Sequence, residues 1–340
     1  MVFSFIEMMN GRILIYGLFV FALWSCAAGG IVYIDVLRPS GIVIDSAVKT
    51  VSVTARVSRL SAVDLSSNIY PDKPSETEAV SYAAGQFADA FEYFLSASPR
   101  FNRVVSIVPV ITSDSSLSQL SWDAAAAMLE TKRSHALVSV DYFDFHDSFR
   151  IFYDPAVYSY QASLWIICRS LWRFYDVKNR TVADEFFLRD TIYSYALGET
   201  PTVAVLSLPS IYSLISEACN SAAYHYTQRI AQVWSRETRS YHTKGNYDLR
   251  MAGWYAQSGK WDKVVEIWRF NAEKQSSRGR AKAAFNTALA YEVDDRLDDA
   301  LRLALVSYGI DSSWQTLQYI KLLNNRIVVK DLINKQLYRQ

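Results

Sequence analysis

The sequence predicts an α+β fold, a mixed sheet flanked by helices, followed by an all-α helical-repeat segment. Three observations carry that expectation. Apolar segments of period two alternate with segments of helical period through the first half of the chain. Two further apolar stretches are joined by a short polar turn, and the last third repeats itself at a fixed spacing. With 340 residues, half of them hydrophobic and 20% charged, the chain has material for two domains with buried cores.

The first clear strand is "VKTVSVTARV" (48–57), which places Val51, Val53, Ala55 and Val57 on one face. Before it, "IVYIDVLRPSGIVI" (31–44) reads as extended and is broken at Pro39-Ser40-Gly41. The polar stretch 58–74, with Pro71 and Pro74, is a loop. A helix starts after Ser75, because Glu78 stands three residues on as a capping box requires. Val80, Ala83, Ala84, Phe87, Phe91 and Phe94 then recur at helical spacing. "NRVVSIVPV" (102–110) is a second strand, Trp122–Lys132 a short helix and "HALVSVDYFDF" (135–145) a third strand. The stretches 163–176 and 181–194 flank Val177-Lys178-Asn179-Arg180 and form a hairpin. A long helix is expected from about Pro209 to Arg236. Two strand–helix–strand units favour parallel pairing, and the hairpin adds antiparallel edge strands.

The repeat lies between "RMAGWYAQSGKWDKVVEIW" (250–268) and "NTALAYEVDDRLDDALRLA" (286–304). Ala252 matches Ala288, Tyr255 matches Tyr291 and Gly259 matches Asp295, each 36 residues apart. Trp261 and Leu297, Val264 and Ala300, and Trp268 and Ala304 continue the series. A small residue where paired helices touch, an aromatic residue one turn on, a turn residue and an apolar second helix resemble the tetratricopeptide pattern with a two-residue insertion. Two such repeats bury little on their own, so the long helix before residue 240 and the segment 313–337 are expected to pack against them.

The N-terminus sets the expected compartment. Ile13–Ser25, "ILIYGLFVFALWS", is shorter than the ~20 residues that span a bilayer and has the length of a signal-peptide apolar region, with Arg12 as its basic flank. Glu7 precedes that flank, and Met8 or Met9 would serve as an alternative start. Leu23-Trp24-Ser25-Cys26 resembles the lipobox of bacterial lipoproteins, which implies lipidation of Cys26 and a mature chain starting there. Acyl chains on that sulfur add about 0.8 kcal/mol per buried methylene, enough for stable anchoring when two or more are present. Ala27 and Ala28 follow, with no acidic run, so by resemblance to lipoprotein sorting the expected location is the periplasmic face of the outer membrane. Cys168 and Cys219 remain; an oxidising periplasm would permit a bridge between them, but neither spacing nor context demands one, and they are read as buried free thiols.

The element order also resembles the periplasmic α/β domain of curli-secretion pore lipoproteins and penicillin-binding-protein activator lipoproteins. "FYDVKNRTVADE" (174–185) looks like their hairpin turn and "AAYHYTQRIAQVW" (222–234) like their closing helix. With lipobox, α/β domain and repeats together, the chain resembles an uncharacterised family of Bacteroidota-type tetratricopeptide lipoproteins. The expected division is a signal peptide over 1–25, a tether and first extended segment over 26–44, an α/β domain over 45–238 and a tetratricopeptide-like domain over 239–340.

Catalytic motifs are absent from the sequence: there is no G-x-x-x-x-G-K-S/T, no G-x-S-x-G, no H-E-x-x-H and no pair of C-x-x-C. The densest polar cluster is "DYFDFHD", where regular alternation puts Asp144 and His146 on one face and Asp141 and Asp147 on the other. A metal-dependent hydrolase using Asp144 and His146 is one reading of it, and a strand end reaching solvent is the other. His225 and His242 lie beside tyrosines and read as structural.

The net charge of +1 draws the chain neither to nucleic acid nor to anionic lipid. Locally, residues 239–282 carry ten Lys or Arg against four acids, and "EVDDRLDD" (292–299) carries five acids against Arg296. Solvated helix faces account for this unevenness, and a steered surface for an acidic partner is the functional alternative. The tetratricopeptide resemblance implies a peptide groove lined by Asn246, Leu249 and Gln257 in the first repeat. In the second it implies Lys282, Phe285, Asn286, Leu289 and Glu292, with Lys282 and Asn286 gripping a carboxylate. The expected function is therefore a lipid-anchored, non-enzymatic binding or scaffold module for an envelope protein or peptide, with no cofactor or metal and no nucleic-acid partner. An oligomerising component of an envelope export or assembly complex is the alternative.

Overall fold

The computed structural model describes residues 29–65, 73–112, 117–274 and 279–338. The α+β expectation is borne out: a seven-stranded mixed sheet occupies the N-terminal part and five helices follow it. The chain forms two compact units. One comprises residues 37–234 and 332–340, the other residues up to Val36 with Ser235–Asp331. The boundary expected at 238/239 falls inside a strand.

In the α/β unit the strands are β2 (Thr50–Val57), β3 (Ala62–Asp64), β4 (Arg103–Ser106), β5 (Val110–Ile111), β6 (Ala136–Asp154), β7 (Ser159–Asp176) and β8 (Thr181–Gly198). They follow the order β4-β2-β6-β7-β8, with β3 beside β6 and β5 beside β2. β2 pairs in parallel with β4 and β6, while β6, β7 and β8 form an antiparallel meander, as the strand–helix–strand units and the hairpin predict. β6 runs nine residues beyond the expected end at 145 and turns into β7 at 155–158.

Helix α1 (Glu76–Ser96) begins on the predicted capping box, with Ser75 accepting from the Glu78 N–H and the Glu78 carboxylate accepting from the Ser75 N–H. Its stripe, Val80, Ala83, Ala84, Phe87 and Phe91, is buried against the sheet. Helix α4 (Ile211–Ile230) covers the same face, so that Trp172 of β7 stacks on Tyr226 at 4.9 Å and meets Phe91 at 5.0 Å. Fully burying side chains of this size contributes about 1.5–3 kcal/mol each, which makes this cluster the centre of the core. Helix α2 (Trp122–Lys132) lies on the opposite face, packing Ala125 and Leu129 against Leu137 and Tyr175. A short α3 (Pro201–Leu206) follows β8. Cys168 and Cys219 are free and buried, and burial pushes both thiols well above their ordinary range.

The long helix expected to reach Arg236 ends at Ile230. Ala231 turns extended, and Val233–His242 forms β9, paired with β1 (Gly29–Arg38). The helical unit then stacks α5 (Tyr247–Gln257), α6 (Trp261–Glu273), α7 (Arg280–Val293), α8 (Leu297–Ile310) and most of α9 (Trp314–Tyr338). Helix pairs α5–α6 and α7–α8 repeat at the spacing read from the sequence. Ala252 and Ala288, Val264 and Ala300, and Trp268 and Ala304 are all buried. Even the turns correspond: Gly259 and Asp295 both take left-handed backbone, at φ 70° and 56°. In each, the N–H three residues past the helix end returns to the preceding tyrosine carbonyl, Lys260 to Tyr255 at 2.9 Å and Arg296 to Tyr291 at 2.8 Å. No described helix is long and apolar enough to cross a membrane.

A methyl group at Gly259 meets open space, so only its positive φ opposes one. We expect Gly259→Ala to lower stability by about 1–2 kcal/mol, seen as a lower urea midpoint; an unchanged midpoint would contradict this account of the turn.

Candidate functional site

The acidic cluster of β6 is arranged by one irregularity. Register shifts between Val140 and Tyr142, so Asp141 is an extra residue and the strand changes parity there. Val138 and Val140 before the bulge, and Phe143 and Phe145 after it, all enter the core. Asp141 and Asp144 therefore share the outer face rather than standing opposite as regular alternation predicts. Each meets an arginine of β7, and Arg169 and Arg173 are four residues apart on that face.

Asp141 is buried. It accepts from Arg173 Nη1 at 2.7 Å and from the Tyr175 hydroxyl, while Arg173 also holds Glu185 at 2.6 Å. Burial, reinforced by the Asp141 charge, pushes the Tyr175 hydroxyl up. Asp144 accepts from Arg169 Nε at 2.8 Å and from the Tyr142 hydroxyl, whose pKa burial and that carboxylate push up to about 12. Arg169 Nη2 stands 2.6 Å from His146 Nε2, and since a guanidinium only donates, the ring nitrogen accepts. The lone pairs that a metal or a hydrolytic water would need from Asp144 and His146 are thus directed at Arg169. Asp64 lies 3.7 Å from the other ring nitrogen. On α4, His225 stands 3.3 Å from Asp190, which also accepts from Ser221.

The groove candidates sit in the helical unit, where the chain's own strand β9 uses several of them. Asn286 is fully buried and clamps the backbone of His242: its Oδ1 accepts from the His242 N–H and its Nδ2 donates to the His242 carbonyl, both at 2.8 Å. Its amide thus holds the chain's own backbone, where the resemblance implied a grip with Lys282 on a partner's carboxylate. Glu292 is likewise buried. It accepts from Arg239 of β9 at 2.9 Å, from Arg326 of α9 at 2.7 Å and from the Tyr319 hydroxyl at 2.8 Å. Phe285 packs on Tyr319 and on the His242 ring. Leu249 is buried, and Asn246 caps α5 through the Leu249 N–H. Lys282 is half-buried near His242, and Gln257 is exposed at the end of α5. Cys26 lies outside the described residues.

Another opening in the same unit was not foreseen. A cavity of about 1210 Å³ lies among β1, α5, α6 and the end of α7, reaching Leu289, the one groove candidate on its wall. Tyr255, Trp261, Trp268 and Phe270 supply its aromatic surface. Its sequence signal is the aromatic and acidic stretch "WDKVVEIWRF" (261–270) on the second helix of the pair, whereas the resemblance implies the first.

Comparisons with known proteins give family and little more. A domain of unknown function (DUF8603) matches residues 48–242, and a second domain of unknown function (DUF6340) matches residues 250–325. A comparison with curated proteins gives no match. Among solved structures, a putative neuraminyllactose-binding hemagglutinin homolog from Helicobacter pylori is 11% identical, with 57% of this chain and 88% of that chain covered and a TM-score of 0.32. The PelC dodecamer from Paraburkholderia phytofirmans is 11% identical over 60% of this chain and 98% of that one, at a TM-score of 0.23. The hypothetical protein CT253 from Chlamydia trachomatis is 9% identical over 53% and 95%, at 0.26. Likeness this slight carries no argument about function.

Two outcomes test this geometry. Glu292→Leu strands two arginines, so we expect a loss of about 3–5 kcal/mol in unfolding experiments. Burial, aided by Lys282, holds the His242 imidazole below its ordinary pKa. The unfolded chain therefore binds that proton more readily, and stability present above about pH 6.5 falls as pH is lowered toward the depressed value. His242→Gln should lose less stability than the parent between neutral and mildly acidic pH; parallel slopes would refute the assignment.

The DUF8603 match spans more than half of the chain, and the chain belongs to that family of unknown function.

Proposed function

We propose that this protein is a non-catalytic binding module of the bacterial envelope, tethered by lipid on Cys26, with its helical unit as the recognition body. The observation that carries the reading is the open aromatic-walled cavity of that unit. The two acidic side chains of the β6 cluster that face β7 are engaged by arginines, which favours a structural role for them over acid–base or metal chemistry. The paired helices at a 36-residue spacing, with left-handed turns at Gly259 and Asp295, support the likeness to tetratricopeptide lipoproteins. The lipobox resemblance of Leu23-Trp24-Ser25-Cys26 supports tethering at the periplasmic face of the outer membrane.

One observation favours a second reading, an oligomerising part of an envelope assembly. β8 ends the strand order, and its 18 residues present an edge with no strand partner among the described residues, with Phe187, Tyr193 and Tyr195 exposed along it. Light scattering on the purified protein separates the two, because a multi-subunit particle lost on placing proline at an outward position of β8 would favour assembly.

For the tether, we expect Cys26→Ser to move the protein from the membrane fraction to the soluble periplasmic fraction. Unchanged fractionation would remove lipid anchoring from the account. For recognition, a photo-crosslinking residue in place of Trp261 should capture one defined envelope protein in intact cells, and no adduct above that of an exposed α9 control position would remove the cavity.

A further inference from the structure

The chemistry of the cavity wall points to its occupant. Five carboxylates line it, Asp248, Asp262, Glu266, Glu273 and Asp294, against Lys263 and Arg269 alone. Asp262, Glu266 and Glu273 recur along one side of α6 and make no ion pair among the described residues. The stretch 239–282 is basic when summed along the sequence, yet of its described cations only Lys263 and Arg269 line this wall. The partner's expected sign is therefore reversed: the wall attracts cations.

The aromatic residues fit the same charge. A cation is drawn to the face of an aromatic ring, and two of these rings already hold one from the chain itself. Lys263 Nζ stands 5.4 Å from the centre of Tyr255, and Lys274 Nζ stands 5.6 Å from that of Phe270. Trp261 stands partly exposed on the wall with no cation over it among the described residues.

Trp268 also lines the cavity, but it is 1% exposed, so its ring contributes a packed floor rather than a polar contact. The volume of about 1210 Å³ also exceeds the ~300–1,000 Å³ usual for small-molecule pockets and suits several residues of chain.

We infer that this cavity takes a basic peptide segment, with lysine or arginine side chains between the α6 carboxylates and over the aromatic rings. The inference rests on the binding-module reading and specifies its ligand class. The partner is then a protein presenting an exposed lysine- or arginine-bearing strand or tail.

The test uses the full chain in detergent micelles, an arginine hexapeptide and its citrulline counterpart, which keeps the shape but replaces one guanidinium nitrogen by a neutral carbonyl oxygen. Titration calorimetry should show the arginine peptide binding, weakening as salt is raised, and the citrulline peptide at least about tenfold weaker. The double variant Asp262→Asn with Glu266→Gln, both exposed and free of structural ion pairs, should lose about tenfold in affinity for the arginine peptide while unfolding at the parent's midpoint. Equal binding of the two peptides, undiminished binding by the double variant, or no binding of the arginine peptide each overturns the inference. Capture of a partner from Trp261 alongside any of these results would leave the binding reading standing and refute only the basic ligand; loss of both would refute the two together.

Discussion

A fully buried carboxylate organises the helical unit. Glu292 sits inside a largely apolar stack of helices, where an unpaired charge would cost several kcal/mol. Arg239 from β9, Arg326 from α9 and the Tyr319 hydroxyl meet it from separate elements, and Glu237 balances Arg239. The cost of burying that charge fixes which segments must lie together. β9 lies on the face that the repeat alone would leave open, and Asn286 completes the arrangement by taking both backbone groups of His242.

The functional consequence follows from which face is filled. In a helical repeat the first helices ordinarily present the receptive surface. Here Leu249, Phe285, Asn286 and Glu292 on those helices are committed to the chain's own packing. What stays open is the wall contributed largely by α6, where Trp261, Trp268 and Phe270 alternate with carboxylates. In the binding reading proposed above, the recognition surface lies on the other side of the helix pair, and the partner's charge is of the opposite sign.

In the α/β unit a single extra residue has a comparable effect. Without the bulge at Asp141, Asp141 and Asp144 would face opposite ways and one of them would enter an apolar core. With it, both project onto the face that carries Arg169 and Arg173, and the core continues unbroken from Val140 to Phe143. The cluster that looked most like chemistry in the sequence is thereby a row of cross-strand ion pairs joining β6 to β7.

Periodicity by itself determined most of the elements: the Ser75 capping box, the helix at Trp122–Lys132, the parallel pair around β2, the hairpin at residues 177–180 and the repeat with its matching turns. These depend on neighbours a few residues away, so their causes are written locally. β9 was hidden because its inward face carries Glu237 and Arg239, and only Glu292, Arg326 and Tyr319, remote in sequence, make that face buriable. The bulge was hidden because one added residue leaves no mark in composition. The accessible side of the repeat was decided by tertiary structure alone, since whether a polar side chain is a free recognition group or a satisfied core group depends on partners that only the folded chain brings within hydrogen-bonding distance.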